Sequence, residues 1–206
     1  GAAGEAGVVT TTTRVPQGER TRVMRQRLLD ATVDCLLERG WAGTSTTLVS
    51  KRAGVSRGAQ LHHFPSKQAL VLAAVEHVAQ RRTAELSLAA RDLPAGEGRT
   101  RAVLGMLADH VTGPAFTAAL ELWVAARTET ALMTAVAPLE QWLGRQTHRT
   151  TVELLGADDS DEAQRELVQA TLDLVRGLGL AATLTDDRRR RDRVLDRWAR
   201  VLDDQL

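Results

Sequence analysis

The chain has 206 residues, 43% of them hydrophobic and 26% charged, with a formal net charge of +1 and a single cysteine. That length supports one compact unit or a small domain joined to a larger one. A lone Cys35 excludes an intrachain disulfide framework and points to a reducing compartment, and no apolar run reaches the roughly 20 residues of a membrane span, so no membrane partner is expected.

Charge is unevenly spread. Residues 1–67 hold ten Lys/Arg against five Asp/Glu, whereas residues 68–206 hold 17 against 21. The basic first third can face a polyanion that the acidic remainder repels. Tyrosine is absent, there are two phenylalanines, and β-branched clusters are short, so helix is the expected element throughout.

The opening stretch lacks the basic-then-apolar order of a secretion signal. Residues 1–18 read as a disordered arm of a cytoplasmic protein. From Arg20, Val23, Leu28, Ala31, Leu36 and Leu37 form a helical stripe that Gly40 ends. Thr44, Ser45 and Thr46 are candidate caps for a two-turn helix over TLVSKRA, which Gly54 breaks. Ser56 caps a second short helix, RGAQLHHF. Pro65 stops it, and Ser66 caps a long helix from Lys67 into the 80s. Two short helices about a glycine turn make a helix-turn-helix, with Leu48, Val49, Ala53, Val55, Ala59 and Phe64 as its core.

Leu93 to Gly98 interrupts the pattern, and RAVLGMLADHV forms the next helix before Gly113-Pro114. One further pattern holds Phe116, Leu120, Trp123 and Val124. Another holds Leu132, Val136, Leu139, Trp142 and Leu143, with Pro138 as either a kink or a boundary. The acidic run Asp158 to Glu162 suits the start of a helix, and it lacks the central glycine of a calcium loop. Leu167, Thr171, Leu174, Leu178 and Ala181 share one face of that helix. After Arg188 to Arg191, Val194, Leu195, Trp198, Val201 and Leu202 share a face of the last. These two helices either close the core or pair with a second copy.

The segments GWAGTSTTLVSKR and AGVSRGAQLHHFPSKQALV closely resemble the N-terminal domain of the TetR/AcrR family of bacterial transcriptional regulators. The matching positions are Gly40-Trp41, Thr44 to Thr47, Ala53 to Ser56, Arg57-Gly58 and His63 to Lys67. The resemblance implies an all-α, Ω-shaped homodimer: a three-helix DNA-binding head at residues 19–66, then a helical ligand-binding and dimerisation domain at residues 67–206. It implies a cytoplasmic, ligand-responsive repressor, with double-stranded operator DNA and a small hydrophobic or amphipathic effector as partners and no cofactor. The chain departs from the family at Gln60, Leu61 and His62, where an apolar residue and two tyrosines are usual.

Arg57 opens the candidate recognition helix, where it can read guanine bidentately or touch phosphate. Gly58 weakens a helix, which close approach to DNA or to a neighbouring helix would explain. Gln60 can pair with adenine or lie on the surface, and Leu61 and His62 complete the candidate DNA-contact set. Thr46, Thr47, Ser56 and Lys67 form a phosphate-positioning group. Two roles are open to Trp41: its ring N–H reaches phosphate, or the ring packs under the first helix.

His62 and His63, being adjacent, point apart on a helix, and neither lies in a metal-ligand pattern. Nucleophile-elbow, Walker and dinucleotide signatures are lacking, so no catalytic residue is named. An effector pocket falls to Met106, His110, Phe116, Leu120, Trp123, Met133 and Trp142, each of which has a plain core role open to it as well. Glu121 and Arg127 either fix a polar ligand group or lie on the surface. The dimer interface falls to Leu167, Thr171, Leu174, Leu178, Ala181, Leu195, Trp198 and Leu202. A helical carrier without DNA affinity and a helical enzyme are the rival readings, and neither accounts for the capped basic helix-turn-helix.

Overall fold

A computed structural model describes residues 17–206. The arm expected over residues 1–18 lies outside the described residues except for Gln17 and Gly18, which already belong to the first helix. The fold is all-α: an N-terminal helix-turn-helix followed by a helical bundle. Among the described helices, none is long and apolar enough to cross a membrane.

The first helix, α1 (Gln17–Gly43), buries Leu28, Leu29, Ala31, Thr32, Cys35 and Leu36, while Val23 and Leu37, expected on the same stripe, are exposed. Gly40 breaks its geometry with φ 62° and ψ −175°, a conformation essentially reserved for glycine. The bend turns Trp41 back into the protein, where it is buried.

Short helices α2 (Thr46–Ala53) and α3 (Arg57–His63) and the longer α4 (Lys67–Ala89) follow. Each opens on a serine, and the hydroxyls of Ser45, Ser56 and Ser66 accept from the backbone N–H groups of Leu48, Ala59 and Ala69 at 3.2, 3.2 and 3.1 Å. Caps of this kind stabilise a helix by about 1 kcal/mol each, a large share for two helices of two turns. Gly54 takes the left-handed conformation, φ 64°, that closes α2 and aims α3.

After a 3-10 turn at Ala90–Asp92 come α5 (Arg99–Val111), α6 (Pro114–Ala126) and α7 (Thr130–Leu155). The last of these is continuous through Pro138, which is therefore not a boundary. Asp161 caps α8 (Glu162–Ala182), accepting from the N–H groups of Ala163 and Gln164, so the acidic run does sit at a helix start. The final helix is α9 (Arg188–Asp203).

Three apolar clusters organise the chain. Leu28, Leu29, Cys35, Val49, Phe64 and Leu70 build the core of the head. Leu36 and Trp41 of α1 join Val71 and Val75 of α4, Ala118, Leu122 and Ala126 of α6, and Leu132 and Val136 of α7 in a second cluster. A third ties α5 to α8 and α9 through Leu104, Leu107, Val175, Leu178, Leu195 and Leu202. The middle cluster packs the end of α1 against α4, α6 and α7 and so joins the head to the helices that follow.

Candidate nucleic-acid interface and central cavity

The first turn of α3 is exposed at Arg57 and Gly58, and Leu61 and His62 are exposed one turn on, Leu61 at 45%. Arg57 forms no ion pair or hydrogen bond among the described residues. Its neighbour on the preceding helix is different: the Arg52 guanidinium donates two bonds of 2.6 Å to Glu38 and one of 3.2 Å to Asp34. A Cβ added at Gly58 would meet nothing within 4 Å, so packing against a neighbouring helix does not account for that glycine. Thr47 is exposed and Thr46 half-buried beside them.

Three residues expected at this surface turn inward. Gln60 is fully buried, and its Nε2 donates to the Phe64 carbonyl at 2.7 Å, which removes it from any base edge. Its Oε1 has no hydrogen-bond partner among the described residues. The Trp41 ring N–H donates to Glu129 Oε1 at 2.7 Å, at the start of α7, and not outward. Lys67 Nζ lies 4.0 Å from the Trp41 ring centroid and donates to the Trp41 carbonyl at 2.5 Å. Burial lowers the Lys67 pKa, with Glu129 pulling the other way. Both residues therefore serve the joint between head and bundle. A sequence pattern places them near the recognition helix but cannot say which way they face. The His62 and His63 rings sit edge to face with centroids 5.7 Å apart.

A cavity of about 120 Å³ opens between α4, α5, α6, α7 and α8. Of the seven residues expected to line it, His110, Phe116 and Trp123 do so. Met106 faces a separate cleft between α4 and α5, and Leu120 lies half-buried away from the cavity. Met133 (43% exposed) and Trp142 (37% exposed) are on the outer side of α7, since Leu132 and Val136 take its inward face. Glu121 and Arg127 are exposed, and the Glu121 carboxylate sits against Gly40.

The rest of the lining was not legible in the sequence. Val75, Val78, Ala79 and Arg82 come from α4, Glu140, Leu143 and Thr147 from α7, and Arg176 from α8. Phe116 and Trp123 stack edge to face, centroids 5.9 Å apart at 83°. Burial, reinforced by Arg82, pushes the His110 pKa down, which favours the neutral ring. Burial raises the pKa of Glu140, while the neighbouring Trp123 side chain and the charge of Arg176 act against that shift.

The sequence profile described as bacterial regulatory proteins, tetR family, matches residues 28–74, the stretch holding most of α1 together with α2, α3 and the first turns of α4. The HTH-type transcriptional regulator CymR of Pseudomonas putida is 30% identical over 190 residues, which cover 88% of this chain and 90% of CymR. The chain belongs to the TetR family. An HTH-type transcriptional regulator of Mycobacterium tuberculosis is 29% identical over 156 residues, 76% of this chain and 80% of that one. A transcriptional regulator from Pseudomonas aeruginosa PAO1 superposes with a TM-score of 0.71 over 95% of this chain and 96% of its own, at 23% identity. The multidrug binding protein EbrR, complexed with imidazole, is 26% identical with a TM-score of 0.56, covering 84% of this chain and 93% of EbrR. As a TetR-family member the chain is a DNA-binding, ligand-responsive transcriptional regulator and not an enzyme.

In this TetR-family chain the residues expected at a dimer interface divide in two. Thr171, Leu178, Leu195 and Leu202 are buried within the protomer's own core, so they are not available to a partner. Leu167, Leu174, Ala181 and Trp198 are half-buried, and the Trp198 ring N–H donates to Thr171 Oγ1 at 2.9 Å. Leu174, Val194 and Trp198 line a shallow hollow bordered by Arg190, Arg193 and Arg197. The correction has a simple cause. Each of the two helices has one strongly apolar face, and α5 already covers it.

Proposed function

We propose that this regulator is a repressor that binds a palindromic operator as a homodimer and leaves it when a small molecule enters the central cavity. The observation that carries the reading is the exposed, serine-capped start of α3, where the Arg57 side chain stands without a partner among the described residues. Arginine at that position of a recognition helix suits a bidentate contact with guanine. Thr47, Ser56, Leu61 and His62 flank it, and Thr46 lies beside them half-buried. The domain division follows the helices: residues 19–66 act as the head, and residues 67–206 bind effector and partner.

Dimerisation would use the strip beside the buried face of α8 and α9: Leu174, Val194 and Trp198 with exposed Leu180. Two heads so joined would address half-sites about 34 Å apart, one turn of DNA. Coupling runs through the middle cluster. Val75 belongs both to that cluster and to the cavity wall, and Trp123 packs against the cluster from the cavity side. A ligand that fits only when α4 and α6 move apart would shift the surfaces that hold Leu36 and Trp41 of the head. Its differential affinity for the two arrangements is the whole driving force.

Selection of a binding site from random duplex DNA, followed by titration at several salt concentrations, tests this reading. An enriched palindrome bound far more tightly than random duplex supports it, and weak salt-sensitive binding alone sinks it. On the enriched site, Arg57→Ala should cost about 1–3 kcal/mol of specific binding and much less on random DNA. Equal losses on both would remove the base-reading role. Gly58→Ala makes the opposite pairing of effects. The added methyl has free space inside the protein and should stabilise the helix by about 0.5–1 kcal/mol. It should weaken operator binding if the DNA backbone approaches there. Unchanged operator affinity would mean that the glycine answers to nothing on the DNA.

A further inference from the structure

We infer that Arg25, on the first helix and outside the helix-turn-helix itself, holds a DNA phosphate at the far end of the recognition helix. The inference rests on the reading of α3 as the base-reading helix and extends the interface onto α1.

The Arg25 guanidinium carbon lies 5.3 Å from the centroid of the Phe64 ring. Phe64 is buried and is the C-cap of α3, so this contact holds the cation just beyond the last turn of the recognition helix. Arg25 itself is exposed and forms no ion pair or hydrogen bond among the described residues.

Its neighbours on α1 explain why the charge stays available. The acidic residue before it, Glu19, accepts from Arg22 at 2.7 Å, and the one after it, Asp30, accepts from Gln26 at 2.9 Å. The Phe64 ring offers no oxygen, so the planar guanidinium keeps its N–H donors for an anion. At an exposed site such a ring contact adds modestly to stability. It also restrains a long side chain in advance, which lowers the rotamer entropy lost on binding.

Distance decides which part of DNA Arg25 meets. The seven residues of α3 extend about 10 Å along its axis, and the major groove is about 12 Å wide. With Arg57 on base edges at the first turn, the end marked by Phe64 falls against the wall of the groove. Phosphates stand there, and base edges do not. A guanidinium at that place positions the head on the duplex without reading its sequence.

Titration of the full chain against its selected operator and random duplex, between about 50 and 200 mM salt, tests this. Arg25→Ala should weaken both by similar factors, about three- to tenfold. It should also lower the slope of log affinity against log salt by about 0.9 per contact, about 1.8 for a dimer. Arg25→Lys keeps the charge and should retain most of the slope. Arg145→Ala removes the same charge from the exposed side of α7 and should leave the slope unchanged. Partial unfolding of a variant reduces the active fraction but not the slope, so poor folding does not mimic the result.

An unchanged slope in Arg25→Ala overturns the inference and leaves Arg25 as a brace for Phe64. A loss confined to the operator overturns it as well, because it makes Arg25 a base reader. An equal fall in slope for Arg145→Ala would trace the effect to net charge and not to a contact. Absence of any salt-sensitive DNA affinity in the unaltered protein defeats the reading of α3 itself. Normal operator selection with an unchanged slope in Arg25→Ala defeats this inference alone.

Discussion

Replacing Trp41 by alanine should cost about 3–5 kcal/mol of stability, the range for removing a buried large aromatic side chain. Trp41 sits among Leu36, Val71, Val75, Ala118, Leu122 and Ala126, where helices from the head and the bundle meet. Its loss would empty the joint and leave Lys67 half-buried without the ring beneath its ammonium group. The two parts would then lose their common packing. Trp41→Phe keeps most of the packing but loses the ring N–H bond to Glu129. Hydrogen bonds to a charged group contribute about 1.5–3 kcal/mol, so its cost should be roughly half that of the alanine variant. Denaturant unfolding reads both. A Trp41→Ala cost below about 1 kcal/mol would show that the joint is not held there.

Gly179→Ala should destabilise the protein by about 1–3 kcal/mol and reshape the cavity at the same time. A Cβ at Gly179 would stand 2.5 Å from the Val111 carbonyl oxygen and 2.9 Å from Phe116 Cε1. The first neighbour is backbone, which cannot rotate away, so α8 would have to lift from the junction of α5 and α6. The second lines the cavity, so the shape of the cavity should change along with stability. Gly144 in α7 is the control: a Cβ there meets nothing within 4 Å, and Gly144→Ala should gain up to about 1 kcal/mol. Unfolding midpoints, measured on both variants, separate the cases. Equal behaviour of the two would mean that the close approach at Gly179 relaxes at no cost.

Gly179 also shows what a sequence pattern conceals. In the chain it is one of two glycines in an amphipathic helix, with no turn or cap to mark it. Its importance comes entirely from the helix that passes over it. Gln60 is a similar case: a polar residue in an exposed-looking register that the fold buries and ties to Phe64. On α7, the choice of Leu132 and Val136 as the inward face sends Met133 and Trp142 outward.

What the sequence determined by itself were the features whose partners lie within a turn or so along the chain. Ser45, Ser56 and Ser66 cap the residues three places ahead, Gly40 and Gly54 permit backbone angles that other residues resist, and Pro114 opens α6. Those interactions need no tertiary context, and together they defined the helix order and the helix-turn-helix that announce the family. Only the tertiary structure decided which apolar faces meet. It spent Leu178, Leu195 and Leu202 on the protomer's own core, drew Trp41 and Lys67 into the joint, and set Glu140 beside Trp123 at the cavity. An amphipathic helix states that it has a face to bury. Which neighbour covers that face depends on the packing of the other helices against it, and so the head was legible while the cavity was not.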